Sequence, residues 1–318
     1  MKFVIIGVGA IGGYYGARLV DAGHDVVFVA RGAHLEAIRA NGLEVSHPDW
    51  NFHQAVTACD MDELASDHPA SGVDTVFLCT KAMATKEIAL ALRFWVRRTS
   101  LAIVSLQNGV DNEAILAKNL ENAWIIGGVA RRIGGGINAP GKIEVKGIAE
   151  VLLGAWPDNR STPQEYHTGV QVLGDAMNAA NIPTIITDNI QEELWRKLVI
   201  NNGVNPLTAL TGLDTQALLK NPELAALVKK MMLETVSASR AKGLQLTSKD
   251  ANDMFELIST FDAIKSSMQI DVENGRAPEI DAIAGPVIAG AGELGISAPV
   301  TEAVSALLKH LVATQKGN

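Results

Sequence analysis

The chain has 318 residues, 47% of them hydrophobic and 19% charged, a composition that supports two domains with sizeable cores and excludes a disordered chain. The formal net charge of −8 would repel a polyphosphate backbone, which excludes nucleic acid as a partner. Only Cys59 and Cys79 are present, without the spacing of a disulfide framework or a metal site, and no stretch reaches eighteen apolar residues, so the reading is a metal-free cytoplasmic protein with no membrane partner.

In chain order, Phe3 to Ile6 reads as a buried parallel strand, too short an apolar run for a signal peptide. It leads into Gly7-Val8-Gly9-Ala10-Ile11-Gly12 and then a small-residue helix through Ala17, Arg18, Leu19 and Val20. The glycines have separate tasks: a tight turn at Gly7, close backbone approach to a pyrophosphate at Gly9, and helix-on-strand packing at Gly12. The helix N-terminus adds free N–H groups and the positive end of its dipole. With a following strand over Asp25 to Ala30, this is the strand, glycine turn, helix, strand order of a dinucleotide site made by Gly7, Gly9, Ala10, Ile11 and Gly12.

Where an NAD enzyme places Asp or Glu after the second strand, this chain has Arg31. A guanidinium suits a 2′-phosphate, so the expected cofactor is NADPH; the competing reading is an arginine that ends a strand in solvent. Thr75 to Cys79 leads to Thr80-Lys81, and Leu101 to Leu106 leads to Gln107-Asn108-Gly109. Ligands of an open parallel sheet lie beyond the carboxyl ends of its strands, which groups Gly7, Arg31, Lys81 and Asn108 on one rim. Lys81 would face the adenine-ribose phosphate and Asn108 the nicotinamide end or the substrate. Taken singly, they read equally as a surface lysine and a turn asparagine.

Trp124 to Val129, Ile143 to Lys146 and Glu150 to Gly154 read as strands of an antiparallel extension, with turns at Gly134-Gly135-Gly136 and Ala139-Pro140-Gly141. Gln164 to Ala180 has helical period, and Pro183 to Ile186 is a short strand. The boundary is set near residue 188. Residues 1–188 then form an α/β, Rossmann-type parallel-sheet domain with that extension, and 189–318 an all-α domain.

Between Leu194 and Asn205 the pattern departs from an ordinary core helix. Lys197, Asn201 and Asn205 fall four apart, flanked by Leu194, Leu198, Ile200 and Val204, so an ammonium and two amides share a face with apolar residues. Burying an unpartnered amide costs roughly 2 to 7 kcal/mol, and a charge more, so a polar partner, protein or ligand, is expected opposite them. Two more polar clusters follow in helical surroundings, Ser266-Ser267-Met268-Gln269-Ile270-Asp271 and Pro278-Glu279-Ile280-Asp281. Alone, each reads as a solvated face.

Taken with Glu192-Glu193-Leu194-Trp195-Arg196-Lys197-Leu198, Asn201 and Asn205-Pro206-Leu207-Thr208-Ala209, their order resembles the ketopantoate reductase (2-dehydropantoate 2-reductase) family over the whole chain. The resemblance implies a catalytic lysine at Lys197 with asparagine partners Asn201 and Asn205. It further implies a substrate-binding serine at Ser267 and, at Glu279, the carboxylate that meets the substrate's hydroxyl end. On the cofactor side it implies Gly7, Gly9, Gly12, Arg31, Lys81 and Asn108. The implied reaction is hydride transfer from NADPH to the ketone of a small-molecule 2-oxo acid, with Lys197 as general acid, in pantothenate biosynthesis.

The chain departs from the family pattern at Ile264, where asparagine is frequent, at Pro278, where threonine is, and at Ala284-Gly285 in place of Asn-Gly. These departures leave open another branched or aromatic 2-oxo acid as substrate. A non-catalytic NADP-binding sensor is the reading from another class, and a homodimer is left open. The seven histidines show no metal or triad spacing, with His34 a candidate for the adenine edge.

Overall fold

The computed structural model of the chain describes residues 1–97, 99–157 and 163–315. They fall into two compact units: Met1–Gln107 with Asn112–Ile190, and Asn108–Asp111 with the chain from Gln191 onward.

The first unit is built on β1 (Lys2–Ile6), α1 (Ala10–Asp21), β2 (Asp25–Val29), α2 (Gly32–Asn41), β3 (Leu43–His47), β4 (Trp50–Gln54), β5 (Thr57–Cys59) and α3 (Met61–Asp67). It continues with β6 (Thr75–Leu78), α4 (Thr85–Trp95), β7 (Ala102–Ser105), α5 (Asn112–Asn119), β8 (Trp124–Ala139), β9 (Lys142–Ala155), α6 (Gln164–Ala179) and β10 (Thr184–Ile186). One sheet runs β4-β3-β9-β8-β7-β6-β1-β2-β5, with β10 beside β9. From β8 through β7, β6, β1 and β2 to β5 every pairing is parallel; β8 with β9 and β3 with β4 are antiparallel.

A parallel sheet is stable when both faces are covered, which explains the continuous apolar runs of its strands. In β1, Phe3 and Ile5 face a core shared with Tyr15 and Leu19 of α1 and Leu173 of α6. Val4 and Ile6 face the opposite core, with Ile88 and Leu92 of α4 and Leu116 of α5. Alternation within an all-apolar strand thus feeds two layers of helices.

Two features differ from the sequence reading. The expected turn at Gly134-Gly135-Gly136 is strand, paired with Lys146, Val145 and Glu144, and the two strands expected over 143–154 are the single β9. The glycines serve close strand approach instead of a turn: a Cβ on Gly135 would stand 2.1 Å from the Glu144 carbonyl oxygen. A bulge between Arg131 and Ile133 puts Arg132 at φ 55°. The strands β3, β4 and β5 have no counterpart in the sequence reading; they are short, and β4 is mostly exposed.

The second unit is helical: α7 (Ile190–Thr211, its first residue counted with the first unit), α8 (Thr215–Lys220), α9 (Pro222–Ser239), α10 (Ser248–Ser259), α11 (Ser267–Glu273), α12 (Ile280–Glu293) and α13 (Pro299–Gln315). Helix α9 packs against α8, α10, α12 and α13. Its core draws Leu198 and Val204 from α7, Met231 and Met232 from α9, and Val287 from α12. Asn202 of α7 is wholly buried and donates from Nδ2 to the Thr235 and Thr301 hydroxyls, each at 3.0 Å, tying three helices together. Glu234 accepts from the backbone N–H groups of Val300 and Thr301 at the start of α13, the favourable end of that helix for an anion.

Candidate active site

In the first unit, β1 delivers the chain into a turn that only glycine fits at two points. Gly7 has φ +99°, and a Cβ there would sit 2.8 Å from the backbone nitrogen of Thr80. At Gly12 a Cβ would stand 2.1 Å from the Gly7 carbonyl oxygen and 2.9 Å from Ile5 Cγ2. Gly9 differs, for a Cβ there meets no heavy atom of the described residues within 4 Å. Gly9 is also the N-cap of α1, which has no side-chain cap and no acidic residue in its first turn. The first intrahelical bond runs from the Gly13 N–H to the Gly9 carbonyl. The N–H groups of Ala10, Ile11 and Gly12 therefore have no partner within the helix. Room at the Gly9 Cβ position, beside the first N–H groups at the positive end of a helix, suits a pyrophosphate.

Arg31 is exposed and stands as the N-cap of α2, directly after β2. Lys81 follows β6 and leads a 3-10 turn over Ala82–Ala84. His34 bridges two backbones: Nε2 lies 2.8 Å from the Val8 carbonyl oxygen, and the Gly141 N–H donates to Nδ1 over 3.0 Å. Acceptance at Nδ1 fixes the neutral ring with its proton on Nε2. Burial pushes the Cys59 thiol up to about 11 and the Cys79 thiol higher still, so both are protonated thiols, not nucleophiles.

In the second unit, Asn108, Asn205, Ser267, Met268, Asp271, Glu279 and Ile283 line a small recess. Asn205 comes from α7, the next three side chains from α11, and Glu279 is the N-cap of α12. Asn108 Nδ2 donates to Glu279 Oε2 over 3.0 Å. Adjacent serines divide the work at α11. Ser266 is buried, bonded to the Thr208 hydroxyl at 2.6 Å, and accepts from the Gln269 N–H. Ser267 is left exposed at the recess.

Four sequence candidates, Asn108, Asn205, Ser267 and Glu279, are thus brought together. Lys197 and Asn201 are half-buried on α7 and are not among the lining residues; successive members of the Lys197, Asn201, Asn205 stripe are about 6 Å apart along the helix axis. Residues 108–111, just beyond the carboxyl end of β7, cluster with the helical unit, and the Asn108 amide pairs with Glu279.

Asp271 is the polar lining residue that the sequence reading gave no role, and the apolar Met268 and Ile283 line the recess with it. Asp271 is buried, and its Oδ1 accepts from Arg276 Nε at 3.0 Å. Its signal was available: it lies four residues after Ser267, hence on the same helix face. Ile264, the family departure, is 45% exposed, and its backbone pairs with Thr215; Ala284 is buried behind the lining residue Ile283 in sequence.

The family model for ketopantoate reductase PanE/ApbA matches residues 3–158, and that for its C-terminal domain matches residues 189–312. The chain belongs to the ketopantoate reductase family. It is accordingly an oxidoreductase of that family's type. A 2-dehydropantoate 2-reductase of Mesorhizobium japonicum is 31% identical, covering 100% of this chain and 99% of that protein. One from Pyrococcus horikoshii is 29% identical over 97% of both. Among solved structures, a PanE/ApbA family ketopantoate reductase from Ralstonia eutropha superposes with a TM-score of 0.87 at 29% identity, covering 99% of this chain and 100% of that one. A D-mandelate dehydrogenase with NADH and anilino(oxo)acetate shares the fold, with a TM-score of 0.87 at 21% identity over 99% of both chains. No helix among the described residues is long and apolar enough to cross a membrane.

Proposed function

We propose that this ketopantoate reductase family member reduces 2-dehydropantoate to pantoate with NADPH, in the cytoplasm, as a step of pantothenate biosynthesis. The observation that carries the reading is the recess where Asn108, Asn205, Ser267 and Glu279 meet, polar groups suited to a hydroxylated 2-oxo acid. The glycine turn, Ala10, Ile11, Arg31 and Lys81 are the residues that would hold the cofactor, and the free space at Gly9 fits its pyrophosphate. When bound, NADPH supplies the hydride.

The chain's own residues do the rest. The Lys197 ammonium stabilises the developing alkoxide and then donates its proton to that oxygen. Asn201 and Asn205, one and two turns on, orient the ammonium and the substrate. Ser267 donates to the substrate carboxylate. Glu279, held by Asn108, accepts from the 4-hydroxyl.

A second reading, another branched or aromatic 2-oxo acid, draws on the apolar lining residues Met268 and Ile283 and on Ile264 at the family's asparagine position. One assay separates the two: NADPH oxidation with 2-dehydropantoate beside unhydroxylated branched and aromatic 2-oxo acids. A clear preference for 2-dehydropantoate is expected. Preference for an unhydroxylated acid would select the second reading, and NADPH binding without oxidation of any of them would indicate a sensor.

A further inference from the structure

A buried side-chain amide of the first unit holds two neighbouring residues of one turn. Gln107 is 3% exposed, and its Nε2 points at three oxygens of a single turn: the Thr80 carbonyl at 3.1 Å, the Thr80 hydroxyl at 3.2 Å and the Lys81 carbonyl at 3.2 Å. On its other side, Oε1 faces the hydroxyls of Thr85 at 3.1 Å and Ser105 at 3.4 Å. Carbonyl oxygens only accept, so the amide has one workable orientation, with its two protons toward Thr80 and Lys81. Thr85 in turn lies 2.8 Å from Asn112 Oδ1.

The clamped turn is the one that borders the glycine site. The Thr80 backbone nitrogen and Cγ2 are the atoms that fill the space where Gly7 has no Cβ, and Lys81 opens the 3-10 turn behind them. A shift of Thr80 is therefore felt at Gly7 by direct contact, and a shift of the Lys81 carbonyl re-aims that residue's side chain.

We propose that Gln107 is a positioning residue of the cofactor site: its amide sets the Thr80–Lys81 turn, and through it the contour of the Gly7 turn and the aim of Lys81. The inference rests on the reading of Gly7 to Gly12, Arg31 and Lys81 as an NADPH site. Its consequence is specific. Loss of the amide should weaken NADPH more than NADH, because Lys81 faces the phosphate that distinguishes them, whereas a general loss of stability would act on both alike.

The test is fluorescence titration of NADPH and NADH against the wild type, Gln107→Met, Thr85→Val, Arg31→Ala and Ile103→Val, with the Tm of each. Methionine keeps the volume of Gln107 and removes both donors; Thr85→Val removes the nearer of the two hydroxyls that face Oε1, together with its contact to Asn112, and leaves the Nε2 contacts in place; Ile103, buried in β7, reports on stability alone. Gln107→Met should raise the NADPH Kd about tenfold and the NADH Kd less. Thr85→Val should move both in the same direction by a smaller factor, and Ile103→Val should leave both unchanged. If Gln107→Met does not fold, Thr85→Val decides. Gln107→Met and Thr85→Val with wild-type affinities, while Arg31→Ala weakens NADPH, would overturn the inference and leave the cofactor reading standing. A wild type that fails to bind NADPH would overturn both.

Discussion

The side-chain amide of Asn108 donates to the Glu279 carboxylate across 3.0 Å, although 171 residues separate them in the chain. The bond orients the carboxylate at the N-cap of α12. Glu279→Ala should therefore lower kcat/KM for 2-dehydropantoate by about 10- to 200-fold, the worth of a hydrogen bond to a charged group, and affect acids lacking the 4-hydroxyl much less. Steady-state kinetics on both substrate types checks it; an equal loss on both would contradict the role.

Arg31 is exposed at the end of β2, free of the burial that would commit it to the protein interior. If it meets the 2′-phosphate, Arg31→Ala should lower the kcat/KM preference for NADPH over NADH by roughly 10- to 200-fold, as expected for a charge-assisted contact. An unchanged preference would remove Arg31 from the cofactor site.

Gly12 has no room for a side chain, with the Gly7 carbonyl oxygen 2.1 Å from where a Cβ would stand. Gly12→Ala should destabilise the fold by about 1 to 3 kcal/mol through overpacking and displace the Gly7 carbonyl. Gly9→Ala, in open space, should leave stability nearly unchanged while weakening cofactor binding. Urea unfolding and NADPH titration of the two variants measure this divergence; matched stability losses would contradict it.

His34 ties the glycine turn at Val8 to the β8–β9 hairpin at Gly141. Burial holds its pKa below 6.5, outweighing the opposing hydrogen bond to the Val8 carbonyl. A histidine whose folded pKa is depressed stabilises fully above its unfolded value and loses that contribution as the pH falls through the folded one, because the unfolded chain binds the proton more readily. The wild-type Tm should thus fall as the pH drops below 6.5, and the gap between wild type and His34→Gln should narrow over the same range. A gap independent of pH would show that the ring does not titrate as described.

The parallel sheet was legible because its strands are buried on both faces and announce themselves as apolar runs closed by Gly7, Arg31, Lys81 and Asn108. The glycine triplet at 134–136 misled because glycine serves both turns and close strand approach, and only the pairing with Glu144 to Lys146 distinguishes them. Ser267 and Glu279 were legible through the family resemblance, whereas Asp271 was hidden inside a polar run that reads as solvent-facing. Asn202 could not be read at all, since Thr235 and Thr301, which explain its burial, are distant in sequence. The same holds for Gln107, whose neighbour Asn108 drew the attention that a turn dipeptide invites.

In the proposed reaction the Lys197 amine is the proton donor. The most direct test of that claim is the single-turnover rate of NADPH oxidation by Lys197→Ala with saturating 2-dehydropantoate, alongside its Tm and NADPH Kd. The rate should fall by about 10²-fold or more, with fold and cofactor affinity retained; a near-normal rate in the folded variant would contradict the claim.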